Sequence, residues 1–141
     1  MVELNPHQIK AMHALSNGKV LRADVGSGKS RIAIAYALLS VGGRFRINGR
    51  GEDRKPTSPR PLYIITTAMK RDTLEWEHEL AQFAMMTGEN GGWWDAPIVV
   101  DSWNNIQKYA KVYGGLFIFD EQKLVGSGAW VKAFYQIARK N

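Results

Sequence analysis

The chain has 141 residues, 45% of them hydrophobic, which suits one domain with a real core. It contains no cysteine, which excludes disulfides and thiolate metal sites, and no apolar run approaches the roughly 20 residues of a membrane-spanning helix. Its 19 Lys and Arg against 13 Asp and Glu give a net charge of +6, a balance that favours polyanions, although soluble domains are often mildly basic without a nucleic-acid partner.

The first residues, Met1-Val2-Glu3-Leu4-Asn5-Pro6, lack the pattern of a signal peptide, so a cytoplasmic location is expected (the host cytoplasm if the source is a virus). Residues 5–16 read as a short helix with Ile9, Met12, Ala14 and Leu15 near one face and Asn17-Gly18 at its end. Residues 19–23, Lys-Val-Leu-Arg-Ala, read as a strand.

The next stretch is Ala23-Asp24-Val25-Gly26-Ser27-Gly28-Lys29-Ser30, and it runs into an apolar helix from Lys29 to about Val41. A strand, a glycine-rich loop and a helix in that order are what a phosphate cradle needs. Gly26 and Gly28 let successive backbone N–H groups turn inward onto phosphate oxygens. The helix adds its positive N-terminal end. Lys29 can reach the β/γ-phosphates, and the Ser30 hydroxyl can ligate Mg²⁺. Gly26, Ser27, Gly28, Lys29, Ser30 and Arg31 are therefore the candidate phosphate-binding residues. The strict G-x-x-x-x-G-K-[ST] pattern is not met, because position 23 is Ala.

Residues 42–61 are rich in Gly, Pro, Ser and Arg and lack periodicity. They read as an exposed, flexible basic insertion with a small hairpin at Asn48-Gly49. The plain reading is a solvated loop. The alternative is a loop that touches nucleic-acid phosphates, with Arg44 and Arg46 as candidates. Residues 62–66 read as a strand and 68–86 as a helix. In the loop at 87–96, Trp93 and Trp94 either fold back onto the domain or offer a base-stacking platform.

Residues 97–101 form a third expected strand, followed by a helix over 102–112 with Ser102 as N-cap. The apolar run at 114–119 is a fourth strand, and Asp120-Glu121 follows it. Functional groups gather at the C-terminal edge of α/β sheets. An acidic pair there, about 90 residues after Ser30, suits a hydrated Mg²⁺ on Asp120 and a water oriented or deprotonated by Glu121. A turn at 126–128 and a helix over 129–139 complete the chain. Strands alternating with helices predict an α/β fold: a parallel sheet with helices on both faces, in a single domain over 1–141.

With these motifs in order, the chain resembles the first RecA-like, ATP-binding lobe of superfamily 2 DNA helicases and translocases, in the Snf-type branch and its compact bacteriophage versions. Leu4-Asn5-Pro6-His7-Gln8 is similar to that branch's glutamine motif. The resemblance implies that Gln8 recognises adenine, whereas the plain reading is a helix start with ordinary polar neighbours. Ala23 to Ser30 is similar to motif I, and Phe119-Asp120-Glu121 to motif II. Ile64-Ile65-Thr66-Thr67 and Val99-Val100-Asp101-Ser102-Trp103 resemble motifs Ia and Ib. That implies nucleic-acid contacts from Thr66, Thr67 and Ser102.

The implied activity is a DNA-dependent ATPase using ATP and Mg²⁺, with Lys29, Asp120 and Glu121 catalytic. Lys123 stands where the family carries His or Gln; it keeps a donor and loses an acceptor. The family also has a motif III strand and a second lobe with an arginine finger. The expectation is that a second RecA-like lobe comes from another chain or from a missing C-terminal part, so that these residues alone hydrolyse ATP very slowly. The competing expectation is a non-catalytic nucleotide-binding module that docks on a replication protein.

Overall fold

The computed structural model describes residues 3–14, 28–83, 94–120 and 128–141. The strand expected at 19–23, the residues Gly26, Ser27, Trp93, Glu121 and Lys123, and most of the 126–128 turn lie outside them. The chain divides into two compact units, Met1–Pro59 with Glu77–Trp94, and Arg60–Trp76 with Asp95–Asn141.

In the first unit, α1 (Pro6–Ala14) packs on α2 (Lys29–Ser40). Pro6 occupies the first helical position, where its missing N–H costs nothing. Asn5 and Gln8 close a capping box: the Asn5 N–H donates to Gln8 Oε1 and the Gln8 N–H donates to Asn5 Oδ1, both at 2.9 Å. Ile32, Ile34, Ala35, Ala37 and Leu38 of α2 are all buried, as an apolar circumference requires.

The far end of α2 stops in a Schellman motif. Gly43 N–H donates to Leu38 O at 2.9 Å and Gly42 N–H to Leu39 O at 3.1 Å, with Gly42 at φ 87°.

Residues 42–61 are more ordered than a solvated loop. Arg44 pairs with Arg54 and Ile47 with Arg50 in antiparallel bridges. Asn48 (φ 52°) and Gly49 (φ 80°) make the expected turn, of type I′. Phe45 is buried edge-to-face on Phe83, with ring centroids 5.2 Å apart. Asn48 fixes the tip by accepting from the Leu4 N–H at 3.0 Å and donating to Leu4 O at 2.9 Å. The sequence missed this anchoring because it depends on partners 38 to 44 positions away. Trp94, in the same unit, is buried.

The second unit holds a three-stranded parallel sheet in the order β2–β1–β3: β1 (Leu62–Thr66), β2 (Ile98–Ser102) and β3 (Leu116–Phe119). The register aligns Ile64 with Val100 and with Ile118. Tyr63, Ile65, Phe117 and Phe119 share one face. Tyr63 stacks on Phe117 at 4.7 Å, and Phe119 meets Phe134 edge-to-face at 4.7 Å. Ile65 joins Trp103, Ile106, Ala133 and Ile137 in the core on that face, the last four supplied by a 3₁₀ helix (Trp103–Tyr109) and α5 (Gly128–Lys140). Each such side chain contributes roughly 1.5–3 kcal/mol on burial.

Two expected helices differ. The helix at 68–86 is broken into α3 (Ala68–Asp72) and α4 (Glu75–Gln82), with Leu74 left-handed at φ 60° between them. Thr73 helps end α3 by turning its hydroxyl back to Met69 O at 2.9 Å. The helix expected over 102–112 is the seven-residue 3₁₀ helix. Its expected cap fails because Ser102 Oγ accepts from Arg71 at 3.2 Å instead.

Candidate functional site

Within the first unit, the structure brings Gln8 of α1 against Gly28 at the start of α2. Gly28 is the N-cap of α2 in the left-handed conformation (φ 77°, ψ 32°), and as a glycine it offers no side-chain cap of its own. The left-handed backbone favours glycine at position 28, and a Cβ there would meet the terminal amide of Gln8, 2.0 Å from Nε2, so that side chain would have to shift. Gln8 Nε2 donates to Gly28 O at 3.4 Å. Lys29 and Ser30, directly after this cap, sit at the first turn of a twelve-residue helix whose first N–H groups carry the positive end of its dipole.

Gln8 is nine-tenths buried, and its amide serves the fold as well: the oxygen caps α1 and the nitrogen supports Gly28. Arg31, a candidate phosphate ligand, is tied elsewhere. Its Nε pairs with Glu79 at 3.0 Å, and a terminal nitrogen donates to Glu3 O at 3.3 Å.

Within the second unit, Asp120 follows β3 and is 9% exposed. Three donors converge on its Oδ2: Thr66 Oγ1 at 2.8 Å, Lys70 Nζ at 3.2 Å and Trp76 Nε1 at 3.3 Å. Its backbone is fixed too, since its N–H donates to Ile65 O at 2.8 Å and its carbonyl accepts from Trp103 Nε1 at 2.8 Å. Lys70, Trp76 and Trp103 are site residues that sequence reasoning missed. The only signal was Lys70's place four residues after Thr66, one turn into the helix that leaves β1.

This clamp occupies the side chain of Thr66, which the resemblance places on nucleic acid. Thr66 is fully buried and its hydroxyl is committed to Asp120. Ser102, 2% exposed and bonded to Arg71, is occupied in the same way. Thr67 caps α3, accepting from the Lys70 N–H at 3.2 Å. Motif-like spacing here marks groups that organise the sheet's edge from inside.

Asp101, at the same edge, is saturated on both oxygens. Oδ1 accepts from the Ser102 N–H, Asn105 and Arg71, and Oδ2 from the Tyr109 hydroxyl. Burial alone would raise its pKa, but these hydrogen bonds outweigh it and hold the carboxyl down at about 2. Burial and the Asp101 charge push the Tyr109 hydroxyl up.

Of the two hairpin candidates, Arg46 is neutralised by Asp53, which takes both its N–H and its Nε, at 2.8 and 2.9 Å. These hydrogen bonds hold the Asp53 pKa low. Arg44 contacts only a carbonyl, that of Gly43, at 2.7 Å.

Among the described residues no three His, Cys, Asp or Glu side chains cluster. The three described donors on Asp120 all fall on Oδ2 and none on Oδ1.

No helix among the described residues is long and apolar enough to cross a membrane. No known protein family, curated protein or solved structure matches the chain.

Proposed function

We propose that this chain is the ATP-binding lobe of a nucleic-acid-dependent ATPase. The observation that carries the reading is the α2 N-terminus: a left-handed glycine packed against the Gln8 amide, directly followed by Lys29 and Ser30, within a Gly-Ser-Gly-Lys-Ser run. The N-terminus of a long helix attracts anions, and the lysine makes the anion a phosphate chain. The parallel sheet with a nearly buried carboxylate just past β3 supports the same reading.

On this reading Lys29 neutralises the β/γ-phosphates and Ser30 and Asp120 supply metal ligands. Glu121 orients the attacking water, and Gln8 offers its remaining amide donor to adenine while it braces Gly28. Bound Mg²⁺ would supply charge neutralisation at the transferring phosphoryl group. Thr66, Lys70 and Trp76 are positioning residues, because they hold Asp120 by one oxygen and present the other. A second lobe contributes the transition-state arginine, which is worth about 10³–10⁵ in rate in phosphate-loop enzymes.

One observation favours a second reading, a nucleotide-binding module without catalysis. The Lys70 ammonium already neutralises the Asp120 carboxylate within its own unit.

Thermal unfolding with and without ATP·Mg²⁺ tests nucleotide binding. Ligand at 100 times its Kd stabilises the fold by about 2.7 kcal/mol, so the midpoint should rise. Lys29→Ala should remove that rise while leaving the ligand-free midpoint unchanged. No shift with the intact chain would sink both readings. A shift with no Lys29-dependent ATP hydrolysis, even with nucleic acid and candidate second-lobe proteins added, would favour the second.

A further inference from the structure

We infer that the 44–54 hairpin is a binding surface for the phosphodiester backbone of nucleic acid, and that Arg44 and Arg54, not Arg46, form its working centre. The inference goes beyond the nucleotide site and stands independently of ATP binding. The contacts expected at Thr66 and Ser102 are buried, so a nucleic-acid partner has to be met by other residues.

The argument starts from the bridge. Arg44 N–H donates to Arg54 O at 3.0 Å and Arg54 N–H to Arg44 O at 2.9 Å, so the two residues are directly opposed. In such a pair both side chains leave the same face of the ribbon, with Cβ atoms about 5 Å apart. Like charges in that arrangement oppose each other, a cost that one carbonyl contact from each side chain offsets only in part.

Each guanidinium uses one donor on a carbonyl at the C-terminal cap of α2: Arg44 on Gly43 O at 2.7 Å, Arg54 on Gly42 O at 3.4 Å. These contacts anchor the pair at one place and leave most of its five donors per side chain facing solvent. A phosphate oxygen pair accepts from such a double fork.

The rest of the hairpin makes the pair specific. Residues 45 and 46 on one strand face residues 51, 52 and 53 on the other, one residue too many, so the second strand bulges at Gly51 (φ 92°). The bulge lets Asp53 cap the Arg46 backbone and neutralise its side chain. Arg50 and Lys55 are also exposed, but they stand at odd offsets from the Arg44–Arg54 pair and leave the opposite face of the ribbon, so the pair itself carries the positive charge of its face. The ribbon is rigid beforehand, because Phe45 is packed on Phe83 and Asn48 is locked to Leu4. Binding therefore costs little ordering of the hairpin.

The test uses the full chain in EDTA with no nucleotide, titrated into a fluorescein-labelled single-stranded DNA of about 20 nucleotides. Anisotropy is read at about 50 and about 200 mM salt. Arg54→Glu gives Arg44 an opposite-charge neighbour, so its thermal midpoint should equal or exceed that of the parent. Its affinity should fall about tenfold or more, and the salt dependence should weaken by roughly 0.7 or more in slope. The double variant Lys108→Ala/Lys111→Ala makes the same change in net charge on the other unit, and should bind within about twofold of the parent.

If Arg54→Glu lowers the midpoint, Arg44→Gln/Arg54→Gln is read by the same criteria. The inference is overturned if the parent does not bind the DNA, or if the hairpin variants bind as the parent does. It is equally overturned if the Lys108/Lys111 control loses as much affinity, or if the chain binds phosphatidylserine vesicles in preference to DNA. None of these outcomes bears on the ATP·Mg²⁺ shift, so the two readings fail separately.

Discussion

Two aspartates end neighbouring stretches of the same sheet edge, and their hydrogen bonds give them different work. Asp101 takes donors on both oxygens, from α3, the 3₁₀ helix and its own strand's end, and acts as a strut between α3, the 3₁₀ helix and β2. Asp120 takes its three described side-chain donors on one oxygen, the arrangement on which its proposed role as a metal ligand rests. The strut has a measurable signature. Its folded pKa of about 2 lies below the ordinary 3.8, so the stabilisation is fully present above about pH 4 and is lost as pH falls through 2. Asp101→Asn should lower stability to urea by up to about 2 kcal/mol at pH 7. The gap between variant and parent should close on going from pH 4 to pH 2. A gap independent of pH would mean that shape, not charge, gives Asp101 its role.

At the level of elements, the informative departures lie where side chains compete with the backbone. The stretch at 68–86 has enough helix formers to read as one helix, yet Thr73 and Leu74 divide it. Leu74 is 51% exposed and left-handed, so its side chain gains little packing to offset a backbone cost of about 1–2 kcal/mol. Leu74→Gly removes that cost while adding unfolded-state entropy. It should stabilise the chain by about 0.5 kcal/mol, seen as a higher urea midpoint at unchanged slope. A lower midpoint would show that Leu74 makes a contact that holds α3 to α4. The hairpin shows the opposite balance. Its Asn-Gly turn was legible as local chemistry, whereas its anchoring by Phe45 and Asn48 depends on residues distant in sequence.

For the molecule as a whole, β1 is the element on which the second unit depends, because it alone among the described strands has a parallel neighbour on each side. Its Ile64 and Ile65 are fully buried. Their amides should show the slowest hydrogen exchange in the chain, well behind the amides of the 44–54 hairpin. Comparable rates in the two places would mean that the sheet does not behave as a cooperative core.

The sequence by itself determined the α/β alternation, the three described strands, α1, α2, α5 and the hairpin turn. Each of these is written in local periodicity or in a residue with a fixed backbone preference. It also singled out Gly28, Lys29, Ser30 and Asp120 as candidates through their order along the chain, and the structure puts Gly28, Lys29 and Ser30 at the start of α2 and Asp120 just past β3. Tertiary structure alone decided how the polar groups are used: Thr66 and Ser102 turned inward, Gln8 bracing Gly28, Lys70 and Trp76 clamping Asp120, and Arg46 cancelled while Arg44 faces Arg54. The reason is physical. A hydrophobic pattern is repeated over many residues and survives any one exception, whereas a hydrogen bond belongs to two particular atoms that only the folded chain brings within 3 Å.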